Sequence, residues 1–170
     1  ILHRPIPENA QIKQVTVTKS KSGKWHCGIT CDVDMVVPKI RWSKSVGIDV
    51  GIKNFAYDSD SHITPNPLNL KKMLRPLARV QRKIARRQIG SQNRKKAVKF
   101  YQIIHERIKN RRKDSLHKIS TQYAKKYDVI FVESLVKPNM VKNHKLARNI
   151  LDSGWGIFGK MLDYKTMLVE

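Results

Sequence analysis

Ser45-Val46-Gly47-Ile48-Asp49-Val50-Gly51-Ile52 places one carboxylate inside an apolar run. Val46, Ile48, Val50 and Ile52 are β-branched, which suits a buried strand. An aspartate in such a setting is unfavourable unless a cation, usually a metal ion, compensates it. A second apolar run, Val129-Ile130-Phe131-Val132, ends directly on Glu133. Two strands that each deliver a carboxylate near their tips make a candidate divalent-metal site. Oxygen ligands suit magnesium or manganese, and two such ions about 3.5–4 Å apart can clamp a phosphodiester. Read singly, Asp49 is better explained as a turn former or helix cap, and Glu133 alone carries even less; the pair favours the metal reading.

The charge of the chain supports that reading. Its 170 residues carry 35 Lys and Arg against 13 Asp and Glu, a formal net charge of +22. A compact protein so basic normally has a polyanionic partner, and nucleic acid is the first candidate. No long apolar segment suggests a membrane partner. The start, Ile1-Leu2-His3-Arg4-Pro5, has no apolar signal core and no initiator Met, and Leu168-Val169-Glu170 stops within a helical pattern. An internal piece of a longer protein is expected, with room for one core or a domain plus part of another.

Before the Asp49 strand, Ile12–Lys19 and Trp25–Val33 alternate as strands around the turn Ser20-Lys21-Ser22-Gly23-Lys24. Cys27 and Cys31 fall on one face of the second strand, about 13 Å apart, too far for a disulfide or a shared zinc. They are expected to be small core residues in a reducing cytosol. Pro38–Lys44 is a polar, basic connection and a candidate domain boundary. After Asp49, Phe55-Ala56-Tyr57 and His62-Ile63-Thr64 read as short strands around Asp58-Ser59-Asp60, whose acids are turn residues.

Asn66-Pro67 reads as a helix start, with Asn as cap. Leu70, Met73, Leu77, Val80 and Ile84 then recur at helical spacing, and Pro76 is expected to kink or end the first part. Ile89-Gly90-Ser91 breaks the pattern, and a second helix runs from about Asn93 to Lys126. Its stripe of Tyr101, Ile104, Ile108, Leu116, Ile119 and Tyr123 is expected to pack against the first, with little apolar surface left for another partner. Between Pro67 and Lys126 stand 20 Lys or Arg against only Glu106 and Asp114, a net +18. Ordinary solvated helices mix signs. This bias points to phosphate-backbone contact by Lys71, Lys72, Arg75, Arg79, Arg82, Lys83, Arg86, Arg87, Arg94, Lys95, Lys96, Arg107, Arg111 and Arg112. Past Glu133 come a loop over 134–143, a short helix over about 145–151, and a last helix capped by Asp152 or Ser153 through Trp155, Phe158, Leu162 and Leu168. The order of elements is that of a mixed α/β layer.

The segment from Ser45 to Lys165 resembles the TnpB (OrfB) proteins of bacterial insertion sequences, relatives of the type V CRISPR effector nucleases. The motifs VGIDVGIKNFA, RKIARRQIGSQNRKKA, HERIKNRRKDSLHKIS, YDVIFVESL, MVKNHKLARNI and SGWGIFGKMLDYK carry the resemblance. PIPENAQIKQVTVTKSKSGKWHC resembles the β-barrel (wedge) region that precedes the nuclease. The resemblance implies an α/β, RNase H-like (RuvC) mixed sheet with an inserted basic helical hairpin over 45–170, incomplete at its C-terminus, and the end of a β-barrel domain over 1–40. It implies a Mg²⁺- or Mn²⁺-dependent DNA endonuclease directed by a guide RNA, cytoplasmic and nucleoid-associated in a prokaryote. Asp49 matches the first catalytic carboxylate, bridging two ions, and Glu133 the second, holding one. The third would follow downstream, beyond a four-cysteine zinc ribbon that this chain does not contain. Departures from the family pattern are Ser134 after the glutamate, Pro76, and Gly154, Gly156 and Gly159, read as weakening the last helix.

Two other classes compete. A module that binds DNA or RNA without cutting accounts for the charge alone. GIDVG also resembles the first phosphate motif of actin-like ATPases, against which stand the short chain, the missing second phosphate loop and the charge.

Overall fold

In a computed structural model, residues 5–34, 43–133, 142 and 144–167 are described. The expected linker before Ser43, most of the loop after Glu133, and Leu168 lie outside them. The chain forms β1 (Gln11–Lys19), β2 (Trp25–Asp32), β3 (Ser45–Val50), β4 (Asn54–Asp58), β5 (Ile63–Pro65) and β6 (Val129–Val132). Its helices are a 3₁₀ turn (Lys71–Met73), α1 (Leu74–Ala85), α2 (Gln92–Lys126), α3 (His144–Ser153) and α4 (Trp155–Thr166).

β1 and β2 pair as an antiparallel hairpin, and the other strands form a four-stranded sheet in the order β5-β4-β3-β6. β3, β4 and β5 are antiparallel neighbours, whereas β6 returns after α1 and α2 to pair parallel with β3. This is the mixed α/β architecture expected.

Alternation along β3 sets the sheet's two faces. Val46, Ile48 and Val50 are buried with Phe55 and Ala56 of β4. Against them pack Leu116 and Tyr123 of α2, and Trp155, Phe158, Met161 and Leu162 of α4. Phe158 meets Phe55 edge-on at 5.1 Å and Tyr123 at 6.3 Å, geometries that aromatic quadrupoles favour. A second cluster joins Leu77 and Val80 of α1 to Ile104 and Ile108 of α2. The helix pair is therefore lopsided. At 35 residues α2 is about 52 Å long, and its second half has ample apolar surface for the sheet and α4, contrary to expectation.

Several local expectations are corrected. Asn66 caps no helix: its side chain donates to the carbonyl of Ile52 and accepts from the amide of Leu68, which adopts φ 49°. Helical structure starts only at Lys71, so Pro76 falls in the first turn of α1, where a missing amide hydrogen does no harm. Neither Asp152 nor Ser153 caps the last helix. Gly154 takes that place in a left-handed conformation (φ 71°), and a Cβ there would lie 3.1 Å from Leu116 Cδ1 and 3.3 Å from Arg112 Cδ. The residue read as weakening α4 is instead required to turn the chain from α3 into it. Cys27 is exposed and Cys31 half-buried, both as free thiols. The absence of a disulfide agrees with the spacing, but the core role does not, because only the hairpin's tip is buried among the described residues.

Candidate metal and nucleic-acid site

The parallel ladder between β3 and β6 runs Ser45↔Val129, Val46↔Ile130, Gly47↔Phe131, Ile48↔Val132. The next position on each strand is Asp49 and Glu133. Neighbouring strands lie about 4.8 Å apart and opposed residues share a face, so the register brings these two carboxylates to the same edge of the sheet. Both line one open groove, with Gly47, Tyr57, Ser59 and Phe131 around them. The register is fixed at its far end by Asp128. Its carboxylate accepts from Ser43 Oγ (2.6 Å) and the Lys44 amide (3.0 Å), which joins the start of β3 to the start of β6. Those two hydrogen bonds, Ser43's first, hold the Asp128 carboxyl below the usual carboxylate range.

Asp49 and Glu133 are both exposed. Among the described residues, neither carboxylate has a salt bridge or a hydrogen-bond donor, in a chain with 35 Lys and Arg. The other acids here are engaged. Asp58 is buried and accepts from Tyr123 Oη (3.1 Å) and the His62 amide (2.8 Å). Asp60 accepts from Tyr127 and pairs with Lys126 at 3.6 Å, and the Tyr127 hydroxyl above all keeps its carboxyl below the ordinary range. Asp58 serves the turn, as the sequence suggests, whereas Asp60 sits in it and ties it to the end of α2. The Asp49–Glu133 pair fits a hard divalent cation: two oxygen donors on one sheet edge, with no competing cation among the described residues. Among the described residues no cluster of three or more His, Cys, Asp or Glu exists, so the pair stands without a third ligand there.

Tyr57 and Phe131 escaped the reading of the sequence. Tyr57 lies directly opposite Asp49 on β4, and Phe131 precedes Glu133 by two residues, so both rings share the groove's face and are exposed. The period of two along each strand was the available signal.

The basic residues divide into two groups. Lys71, Lys72, Arg75, Arg79, Arg82, Lys83, Arg86, Lys95, Lys96, Arg107 and Arg111 are exposed on α1, α2 and the turn before them. Others serve the fold. Arg112 grips Asp152 at 2.6 Å, Arg94 donates to the carbonyls of Ile84 (2.9 Å) and Arg87 (3.2 Å), and Arg87 donates to that of Asn93. Arg94 thereby closes the end of α1 onto the start of α2.

Fold and site together define a mixed α/β protein with a strongly basic helical arm beside a carboxylate-lined sheet edge. The chain belongs to the OrfB (TnpB) family of insertion-sequence proteins: the family model described as "Probable transposase" matches residues 28–144. A Streptomyces pristinaespiralis protein named "Putative RNA-guided DNA endonuclease" is 38% identical over 162 residues, covering 95% of this chain and 40% of that protein. "Putative RNA-guided DNA endonuclease InsQ" of Escherichia coli K12 is 32% identical over 171 residues, covering 92% of this chain and 42% of that protein. A Mycobacterium tuberculosis relative with the same type of name is 31% identical over 132 residues, covering 71% of this chain. The chain thus spans about 40% of the length of the first of these relatives. No helix among the described residues is long and apolar enough to cross a membrane.

Proposed function

We propose that this chain is the nucleic-acid-binding and metal-binding segment of an RNA-guided DNA endonuclease with an RNase H-like, RuvC-type nuclease domain. The observation that carries the reading is the pair of carboxylates, Asp49 and Glu133, without a partner among the described residues, at neighbouring tips of parallel strands in a protein of charge +22. Asp49 and Glu133 would hold Mg²⁺ or Mn²⁺, whose chemistry when bound is to lower the pKa of the attacking water and stabilise the leaving 3′ oxygen. Within this chain, Asp49 and Glu133 orient at the groove, Asp128 holds their register, and the exposed cations of α1 and α2 attract the phosphate backbone. Base pairing to a guide RNA would supply sequence, which agrees with a basic surface suited to shape and charge. The relatives' names support the choice of DNA as substrate and RNA as guide.

The test is cleavage by the full-length protein with its bound RNA. Asp49→Ala and Glu133→Ala are each expected to abolish Mg²⁺-dependent cutting while changing DNA affinity less than about threefold. Residues 1–170 alone are expected to cut little or not at all. Cutting that survives both substitutions overturns the metal assignment. If instead no variant and no parent protein cuts, while the basic surface still binds, the module that binds without cutting takes its place.

A further inference from the structure

The tip of the β1–β2 hairpin does not float. Ser22 is buried against α2, its hydroxyl 2.8 Å from that of Ser20, and Lys24 Nζ reaches Glu106 at 3.3 Å. Glu106 is one of only two acids between Pro67 and Lys126, and it is the one turned toward the hairpin. Ser22 first, then Lys24, keep its carboxyl below the usual range. Docked in this way, the tip closes one side of a cleft of about 470 Å³ against the start of α2. Lys21 stands on the hairpin side, and Arg94, Lys95 and Lys99 on the helix side.

Folding alone gives no reason to gather these cations. The N-terminus of α2 carries the positive end of the helix dipole, where acids are favourable and cations are not. Its first turn nevertheless contains no acid, and Arg94, Lys95 and Lys96 follow at once. Arg94 is partly relieved by the carbonyls it binds. Lys21, Lys95 and Lys99 are exposed, and among the described residues no carboxylate pairs with any of them. The hairpin then adds its own lysine to the same place, 73 residues earlier in the chain than Arg94. A bound polyanion resolves this conflict between local electrostatics and fold. No aromatic side chain lines the cleft among the described residues, so it offers no platform for stacking bases.

We propose that the cleft between the hairpin tip and the start of α2 is a sequence-tolerant site for the phosphodiester backbone of nucleic acid, gripped from opposite sides by Lys21 and Lys99. The proposal rests on the reading of the chain as nucleic-acid-binding and deepens it. It makes the hairpin part of the binding surface, with Glu106 as the residue that positions it.

The test is fluorescence anisotropy with the full-length protein, using labelled single-stranded RNA, single-stranded DNA and duplex DNA between 50 and 400 mM salt. For the nucleic acid that occupies the cleft, the double variant K21Q/K99Q is expected to bind about tenfold more weakly at low salt. Its plot of log affinity against log salt should be shallower by about 1.4 for a single strand or about 1.8 for a duplex, two phosphate contacts' worth. K21R/K99R should restore both quantities, and the matched surface variant K53Q/K160Q should leave the slope as in the parent. The probe whose slope changes identifies RNA or DNA as the occupant. An unchanged slope in K21Q/K99Q for all three probes overturns the site. Asp49→Ala is expected to bind with the parent's slope, so cutting that survives it would refute the nuclease reading and leave the cleft standing.

Discussion

Arg112 of α2 and Asp152 of α3 form a two-pronged ion pair, with Arg112 Nη2 2.6 Å and Nε 3.2 Å from one carboxylate oxygen. The other oxygen accepts the backbone amide of Leu70 at 2.9 Å. One aspartate thus joins α3, the middle of α2 and the segment entering α1. Arg112→Ala strands a partly buried carboxylate and is expected to destabilise by about 2–4 kcal/mol, more than the usual surface pair. A double-mutant cycle with Asp152→Ala, followed by urea unfolding, should return a coupling energy above about 1 kcal/mol. Additive effects would show that the pair holds nothing together.

Gly154 and Gly159 sit five residues apart and should respond in opposite directions. Gly154→Ala forces a side chain into positive φ and against Leu116 and Arg112, so a loss of about 1–3 kcal/mol is expected. At Gly159, inside α4, an added Cβ meets nothing within 4 Å, and Ala should raise stability by up to about 1 kcal/mol. Thermal melts of the two variants decide the matter, and equal shifts would refute the assignment of Gly154 as a required turn.

Tyr123→Phe keeps the ring packing against Phe158 but removes the hydroxyl donor to buried Asp58. Burial, more than its polar neighbours, pushes the Tyr123 hydroxyl's pKa up, so it is present as a donor throughout the accessible pH range. Leaving that oxygen of Asp58 short of a donor should destabilise by about 1–3 kcal/mol, a fall in Tm of several degrees for a domain of this size. A Tm within one degree of the parent's would show that the bond contributes nothing net.

Among the described residues three carboxyls have lowered pKa values: Asp128 through Ser43, Asp60 through Tyr127, and Glu106 through Ser22. The unfolded state binds protons more readily at each, so their stabilisation is complete above the ordinary carboxylate range near pH 4 and is lost as pH falls through the folded values. Protonating acids in a chain already at +22 also adds to self-repulsion. Tm is expected to decline steeply below about pH 4, and Asp128→Asn should lower the neutral-pH plateau and flatten that decline. A variant whose acid limb parallels the parent's would remove Asp128 from the account.

The sheet and the helix pair were legible because their signals are local. Alternation around Val46 and Ile48 and the turn at Asp58–Asp60 gave the strands, and the stripes of Leu77, Val80, Ile104 and Ile108 gave the helices. Asp49 and Glu133 could be named as a pair, but only the β3–β6 register puts them side by side. What was misread depends on partners distant in sequence. Asp152 reads as a cap until Arg112, 40 residues away, claims it. Asn66 reads as a cap until the carbonyl of Ile52 does the same. Gly154 reads as a defect until the approach of Leu116 shows that no side chain fits. Arg112 carries the same lesson, since a basic stripe in the sequence does not separate cations facing solvent from those that fasten helices.

One helix belongs to both apolar clusters: Ile104 and Ile108 of α2 pack with α1, while Leu116 and Tyr123 pack beneath the sheet. Any cut within Gln92–Lys126 therefore leaves Val46 and Phe55 on one piece and Phe158 and Leu162 on the other, splitting the cluster beneath the sheet. The basic arm is not a detachable accessory, and a protein engineer who trims it removes the floor under the strand that carries Asp49.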